Sequence, residues 1–438
     1  MPIKGIATPP SRSRRTWLTR VAAVVAAPVG LGACGRSAKN EPLRFWAMGR
    51  EGEVVGDLLG PFEREHSSIR VRVEKLPWSA AHEKLLTAFA GDATPDIAQL
   101  GNTWIAELAA LGALEPLQPW ADAAGIAAAD HFDGIWRTNQ IDGTLYGLPW
   151  YVDTRLLFYR RDLFERAGVN TMPEDWAGMV RAFDALQRAG VAHPLLLPLN
   201  EFEPLLAFAL QQDDPLLRDG ARYGNFRSAG FKRALSFYLD HFARGHAPYL
   251  TSNVIANLWQ EFGRGTFAAY ISGPWNIGEL DRRLPPELQR SWSTAPLPGP
   301  NGPGASTAGG SSLVIFRHSQ RKAEAMRLIE YLSRPAVQLQ FHALTGNLPP
   351  RRSTWTMAPL SSDQRAAAFA RQLERAKASP AVPEWERIAQ EMQLYATRAH
   401  RYGTSIDETT AALDARVDGF LEKRRWMLAR DAAPRRGA

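Results

Sequence analysis

Cysteine is all but missing from this sequence: Cys34 is the one thiol in 438 residues. An internal disulfide and any multi-cysteine metal cage are thereby excluded. The nine histidines are scattered, with no His-Glu-x-x-His pattern and no short histidine pairing. A zinc site is therefore not expected, and no metal or other cofactor is called for. Also missing are a Gly-x-Ser-x-Gly elbow and a phosphate-binding glycine loop, so no nucleophile or phosphate motif points to catalysis.

Excess charge of one sign is missing from most of the chain as well. The formal net charge is +7, but residues 1–33 hold Lys4, Arg12, Arg14, Arg15 and Arg20 and no acid, which leaves 47 basic against 45 acidic side chains. The tail Glu422–Ala438 holds six bases and two acids. The body between is close to neutral, unlike a groove that tracks phosphates, and no nucleic-acid partner is expected. What is present is ordinary for a folded protein: 45% hydrophobic and 22% charged residues, too apolar for disorder. The length suits two lobes better than one.

The N-terminal segment reads as an address. Arg14 and Arg15 form a twin-arginine pair, and Val21–Ala33 is a mild apolar run with Pro28 inside it. A bilayer-spanning helix needs about 20 apolar residues, so this run suits the core of a secretory signal instead. It ends Leu31-Gly32-Ala33-Cys34-Gly35, which resembles a lipoprotein box in which the cysteine is diacylated. Multiple acyl chains make a stable anchor where one is marginal. The expectation is a signal over 1–33, lipidation at Cys34 and a polar tether over 34–42. A buried cysteine after an ordinary apolar start is the plainer alternative.

From Leu43 onward the pattern alternates. Leu43–Met48, Ile69–Glu74 and Pro95–Leu100 read as strands, and Glu53–His66, Ala80–Ala90 and Trp104–Leu111 as helices. Alternating units of this kind imply a mostly parallel sheet wrapped by helices. Such a sheet binds small ligands beyond the C-terminal ends of its strands. The loops expected there carry Glu51, Glu53, Trp78, Asn102 and Trp104. Indoles can stack on the C–H faces of a sugar, and carboxylates and amides can hydrogen-bond its hydroxyls. The pattern restarts after Pro149, with strands at Leu156–Tyr159, Thr266–Ile271 and Ser312–Phe316. A Pro/Gly-rich loop is expected over Pro296–Gly310, and helices dominate from Asp363 to Trp426.

Several segments then carry a family resemblance. They are Pro95-Asp96-Ile97, Asp142-Gly143-Thr144-Leu145-Tyr146-Gly147-Leu148-Pro149-Trp150, Asp153-Thr154-Arg155-Leu156-Leu157-Phe158-Tyr159-Arg160-Arg161-Asp162-Leu163-Phe164, Pro173-Glu174-Asp175-Trp176, Ser272-Gly273-Pro274-Trp275, Gly309-Gly310 and Gly346-Asn347-Leu348-Pro349-Pro350-Arg351. In this order they resemble the solute-binding proteins that serve ABC importers of oligosaccharides, the maltose- and trehalose-binding type.

The resemblance implies an α/β, two-lobed periplasmic-binding-protein fold (type II, Venus-flytrap) with hinge strands between the lobes. Lobe I would comprise 43–149 plus 303–345 and lobe II 150–302 plus 346–425, with a basic tail over 426–438. It implies a monomer, periplasmic or at the cell surface, lipid-anchored to a membrane. The partners would be a sugar and ABC permease subunits. The function implied is capture of an α-glucoside disaccharide or oligosaccharide, maltose or trehalose foremost, by cleft closure, and not catalysis. Carried over residue by residue, it sets Tyr151 and Asp153 at the first crossover and Trp275 as a stacking platform. Gly309 and Gly310 would approach the ligand through backbone N–H groups, and Arg351 would donate to sugar hydroxyls. Glu203 would belong to a second-lobe carboxylate loop.

Where some relatives carry a tryptophan this sequence has Ser311, so one stacking surface is either missing or supplied elsewhere, by Trp46 or Trp104. Bland readings stand beside these. Asp153 could pair with Arg155 at the hinge, and Glu51 and Glu53 could answer only a helix macrodipole. Trp136, Trp176, Trp385 and Trp426 read as structural. Two rival functions remain: the same scaffold binding glycerol-3-phosphate or another small solute, and a periplasmic glycoside hydrolase using two cleft carboxylates.

Overall fold

The strand Leu43–Met48 passes into the helix Gly49–Glu65 with no loop between them. Gly49 makes the turn at φ +51°, a conformation costly for any residue with a Cβ. The helix buries Val54, Val55, Leu58, Leu59 and Phe62, one stripe at the 3.6-residue period. It returns the chain to the strand Val71–Leu76, after which the helix Trp78–Ala90 leads to the strand Ile97–Gly101. Both helices begin earlier than their apolar spacing suggests, and Glu51 and Trp78 stand in first turns rather than in loops.

The computed structural model describes residues 41–251 and 257–432. The expected signal, Cys34, most of the expected tether and the end of the basic tail lie outside the described residues. Among the described residues no helix is long and apolar enough to cross a membrane.

Two sheets organise the chain. The first has five strands in the order Val71–Leu76, Leu43–Met48, Ile97–Gly101, Gly309–Ile315, Leu148–Asp153. The second has four, Trp292–Ala295, Leu156–Arg160, Phe267–Ser272, His193–Leu196. The expected parallel arrangement holds for the first three strands named. Gly309–Ile315, however, runs antiparallel to both its neighbours, and in the second sheet only Phe267–Ser272 with His193–Leu196 is parallel. Local β-α alternation reports neighbouring units and is blind to a strand that returns from a distant part of the chain.

The chain leaves the first sheet at Asp153 and enters the second at Leu156, crossing on Thr154 and Arg155 alone. The boundary expected after residue 149 thus falls inside a strand. On the return, Ser306–Thr307 pairs with Ala376–Lys377 before Gly309–Ile315 joins the first sheet. The region expected as a loop up to Gly310 therefore ends in paired backbone. Leu348 bridges Val152 beside the same crossing, its carbonyl accepting from Val152 N–H at 2.9 Å.

Each sheet has its own apolar core. Trp150 stacks on Phe341 at 4.5 Å under the first, and Phe158 stacks on Tyr270 at 5.1 Å in the second. Trp136 and Trp385 are buried, and Trp176 stacks on Phe237 at 4.0 Å. Trp426, expected to be structural, is 58% exposed, with the Arg430 guanidinium 4.6 Å over its ring. One histidine pairing missed from the spacing also emerges. His241 and His246 are fully buried with their Nδ1 atoms 3.1 Å apart, and His246 Nε2 meets Asp184 Oδ1 at 2.8 Å. Burial pushes His241 down to about 3. Among the described residues no group of three or more ligating side chains is arranged to hold a metal.

Gly310 is the tightest point of the return. It adopts φ +119°, and a Cβ there would lie 2.3 Å from the Tyr151 carbonyl oxygen. Backbone strain of about 1–3 kcal/mol adds to the overpacking. Gly310→Ala is expected to cost at least about 2 kcal/mol, read as a lower urea midpoint with an unchanged slope. A wild-type midpoint would show that the two strands need not approach so closely.

Candidate functional site

A cavity of about 610 Å³ opens where the chain crosses between the sheets, within the size range of small-ligand pockets. One wall comes from segments following the parallel strands of the first sheet: Glu51, Trp78, Asn102 and Trp104. Tyr151 and Asp153, on the crossing strand, form the floor with Gly309 and Gly310. Arg155, Glu203 and Trp275 form the opposite wall.

Helix starts aim the first wall inward. Trp78 opens its helix, and the indole lies against Gly49, where a Cβ would come within 2.9 Å of Cδ1 and Nε1. Its ring meets Trp104 edge to face at 5.5 Å, a favourable aromatic geometry. Glu51 is 7% exposed and accepts from Asn347 Nδ2 at 2.6 Å. Burial pushes its carboxyl above the usual range, only partly offset by hydrogen bonds from its own backbone, Asn347, Tyr151 and Trp78.

The floor is a polar network. Gln99 Oε1 accepts from Met48 N–H at 2.7 Å, and its Nε2 donates to Tyr151 Oη at 3.3 Å and Ser311 Oγ at 3.2 Å. Ser311 Oγ donates to Tyr151 Oη at 3.0 Å. Ser311 is thus part of the support for Tyr151. Trp104 lines the cavity, whereas Trp46 is 4% exposed and packed among core residues. Ser312 Oγ donates to Asn102 Oδ1 at 3.0 Å. Two buried atoms of cavity-lining residues, Asn102 Nδ2 and Asp153 Oδ1, have no partner among the described residues. Both atoms lie beneath the cavity surface, and a buried polar atom left unpaired is costly.

The second wall is built on charge. Arg155 Nη1 donates to Asp153 Oδ2 at 2.6 Å and Nη2 to Glu203 Oε1 at 2.8 Å. Its guanidinium lies 4.7 Å from the Trp275 ring centroid. Burial raises the Asp153 carboxyl, opposed by the Arg155 charge and hydrogen bond and reinforced by Glu203. Arg50, at the rim, donates to Glu53 at 3.4 Å. Both cations that line the cavity are therefore paired with carboxylates.

Two expected residues lie elsewhere. Glu53 receives Lys75 and Arg50 on the exposed side of its helix, and these hold its carboxyl below the usual range. Two residues along a helix turn a side chain by about 200°, so Glu51 and Glu53 cannot share the cavity. Arg351 donates through Nε to Asp130 at 2.6 Å and through Nη1 to the Ser333 carbonyl at 3.1 Å, outside the cavity lining. Gly309 and Gly310 do line it, but Gly310 lacks a Cβ for the sake of the neighbouring strand. Sequence reasoning missed Asn347 and Glu386, which also line the cavity. Thr103 donates to Glu386. No local motif marks Glu386; it arrives on a helix 283 positions away from Thr103.

The family of bacterial extracellular solute-binding proteins matches residues 48–339. The sugar-binding protein MalE from the phytopathogen Xanthomonas citri is 54% identical, with a TM-score of 0.87 over 89% of this chain and 99% of that one. The diacetylchitobiose binding protein DasA of Streptomyces coelicolor is 22% identical over 416 residues, 90% of this chain and 95% of its own. The maltodextrin-binding protein MdxE of Bacillus subtilis is 23% identical over 373 residues, 82% and 87% of the two chains.

A carboxyl raised in the folded state binds more protons there than in the unfolded chain. Its contribution to stability is full below the ordinary value of about 4.3 and is lost as pH rises through the raised value. Glu51→Gln should therefore gain stability relative to the parent as pH is taken from 4 to 7, followed by urea midpoints. A difference that stays flat with pH would mean that Glu51 titrates normally.

Proposed function

The chain belongs to the bacterial extracellular solute-binding proteins, a family of binding proteins and not enzymes, and on that premise we propose that it captures a neutral sugar for an ABC importer. The observation that carries the sugar reading is the cavity's mixed lining. Indoles stand on two walls at Trp78, Trp104 and Trp275, and the amides and carboxylates of Asn102, Asn347, Asp153 and Glu203 line the cavity between them. Aromatic faces suit the apolar faces of a pyranose, and paired donor and acceptor atoms suit its hydroxyls. The similarity to the Xanthomonas citri sugar-binding protein supports the same reading. An α-glucoside disaccharide or short oligosaccharide is the proposed ligand, with maltose and trehalose first.

The rival anion reading lacks support in the cavity. A phosphate would need a free guanidinium or ammonium, and Arg155 and Arg50 are each held by carboxylates. The proposed mechanism is closure about the crossing strands. Sugar stacks on one wall, and its added attraction to the opposite wall favours the closed form, which a membrane permease then receives. We place the protein outside the cytoplasm as a monomer, anchored through acyl groups on Cys34.

Calorimetric titration with maltose, trehalose and maltotriose is expected to give saturable binding to at least one, without hydrolysis. Trp275→Ala should weaken it by about tenfold or more, equal to about 1.4 kcal/mol. Binding of glycerol-3-phosphate with no response to any sugar would sink the reading. For the anchor, Cys34→Ser should abolish incorporation of labelled palmitate and move the protein from membrane to soluble fractions. Unchanged labelling would end that proposal.

A further inference from the structure

The Asp153–Arg155–Glu203 cluster does more than neutralise itself. A guanidinium is planar and carries its donors in that plane. With one edge spent on Asp153 at 2.6 Å and another on Glu203 at 2.8 Å, the plane is fixed and its face is left for stacking. The guanidinium carbon lies over the Trp275 ring, 4.7 Å from its centroid. The edge of the same ring lies back on Gly273, where a Cβ would fall 2.0 Å from Cζ3 of Trp275 and 2.6 Å from Asp153 Oδ1. The backbone of Arg155 is tied as well, since its carbonyl accepts from Ser306 Oγ at 2.6 Å. Trp275 nevertheless remains 37% exposed, so part of its surface is free for a ligand.

We propose that Arg155 is a positioning residue for the site: pinned between Asp153 and Glu203, it carries the Trp275 ring and sets the indole surface offered to a sugar. Arg155 acts on the ligand through Trp275, with two of its five N–H groups spent on holding the guanidinium between Asp153 and Glu203. The inference rests on the sugar-binding reading above. It distinguishes arginine from lysine, whose ammonium is a point charge with no face to stack and no fork to span two carboxylates.

The test is a double-mutant cycle on the full chain, using whichever of maltose, trehalose or maltotriose the parent protein binds. Arg155→Lys and Arg155→Met should each weaken that sugar by about tenfold or more, while in a Trp275→Ala background the same changes should alter affinity by less than about twofold. Losses that multiply, or parental affinity in both variants, would overturn the proposal. If Arg155→Met fails to fold, Arg155→Lys keeps a cation between the carboxylates and carries the cycle. A ligand-free measurement separates this claim from the sugar reading. The emission lost on Trp275→Phe reports Trp275 alone, and its quenching by acrylamide should rise in Arg155→Lys. If no sugar binds the parent, the functional reading fails, and unchanged quenching would then refute the positioning role as well.

Discussion

Two carboxylates and one guanidinium meet at the point where the chain leaves one sheet for the other, and the neighbourhood is arranged around keeping them together. Taking a carboxylate out of water without a partner is costly, and the Arg155 guanidinium offsets that cost for both acids. Asp153 ends a strand of the first sheet, and Glu203 opens the helix Glu203–Leu210 beyond the crossing. Arg155 reaches both only because Thr154 is the single residue separating it from the strand end. A longer crossing would let the charges separate. The return strand pairs with the crossing strand so closely that Gly310 has no room for a side chain.

Around that cluster the site divides its labour between fixed polarity and aromatic surface. Gln99, Tyr151 and Ser311 are buried and hydrogen-bonded to one another across three strands. Such a satisfied network holds its members in one arrangement. Asn102 and Asp153 are each satisfied on one oxygen, with the other polar atom buried and without a partner among the described residues. Rigid support behind polar side chains that line a cavity is what lets a site discriminate among ligands by hydroxyl geometry. The indoles add area with little directional demand.

Legibility followed the range of the interactions. Strand Leu43–Met48 was readable to the residue because an apolar run closed by Gly49 is a local signal. Helix starts were not: apolar spacing marks where a helix begins to pack, and Glu51 and Trp78 precede that point. Glu51 and Glu53 were indistinguishable until the helix phase was known. Arg351 looked like a ligand donor because its motif is local, but its partner Asp130 lies 221 positions away. Glu386 had no motif, and Asn347 stood inside the Gly346–Arg351 segment with no role assigned to it; both enter the cavity through long-range packing.

The sequence by itself determined the class of the protein: alternating short-range patterns, a near-neutral body and a series of ordered motifs suffice for a two-sheet α/β binding protein. These features depend on residues near one another in the chain, where periodicity and composition act. Tertiary structure alone decided which carboxylate faces the cavity, that Arg155 is spent on two acids, and that Gly310 answers to Tyr151. Those outcomes turn on distances between strands and helices far apart in sequence, fixed only when both cores and the crossing between them pack at once.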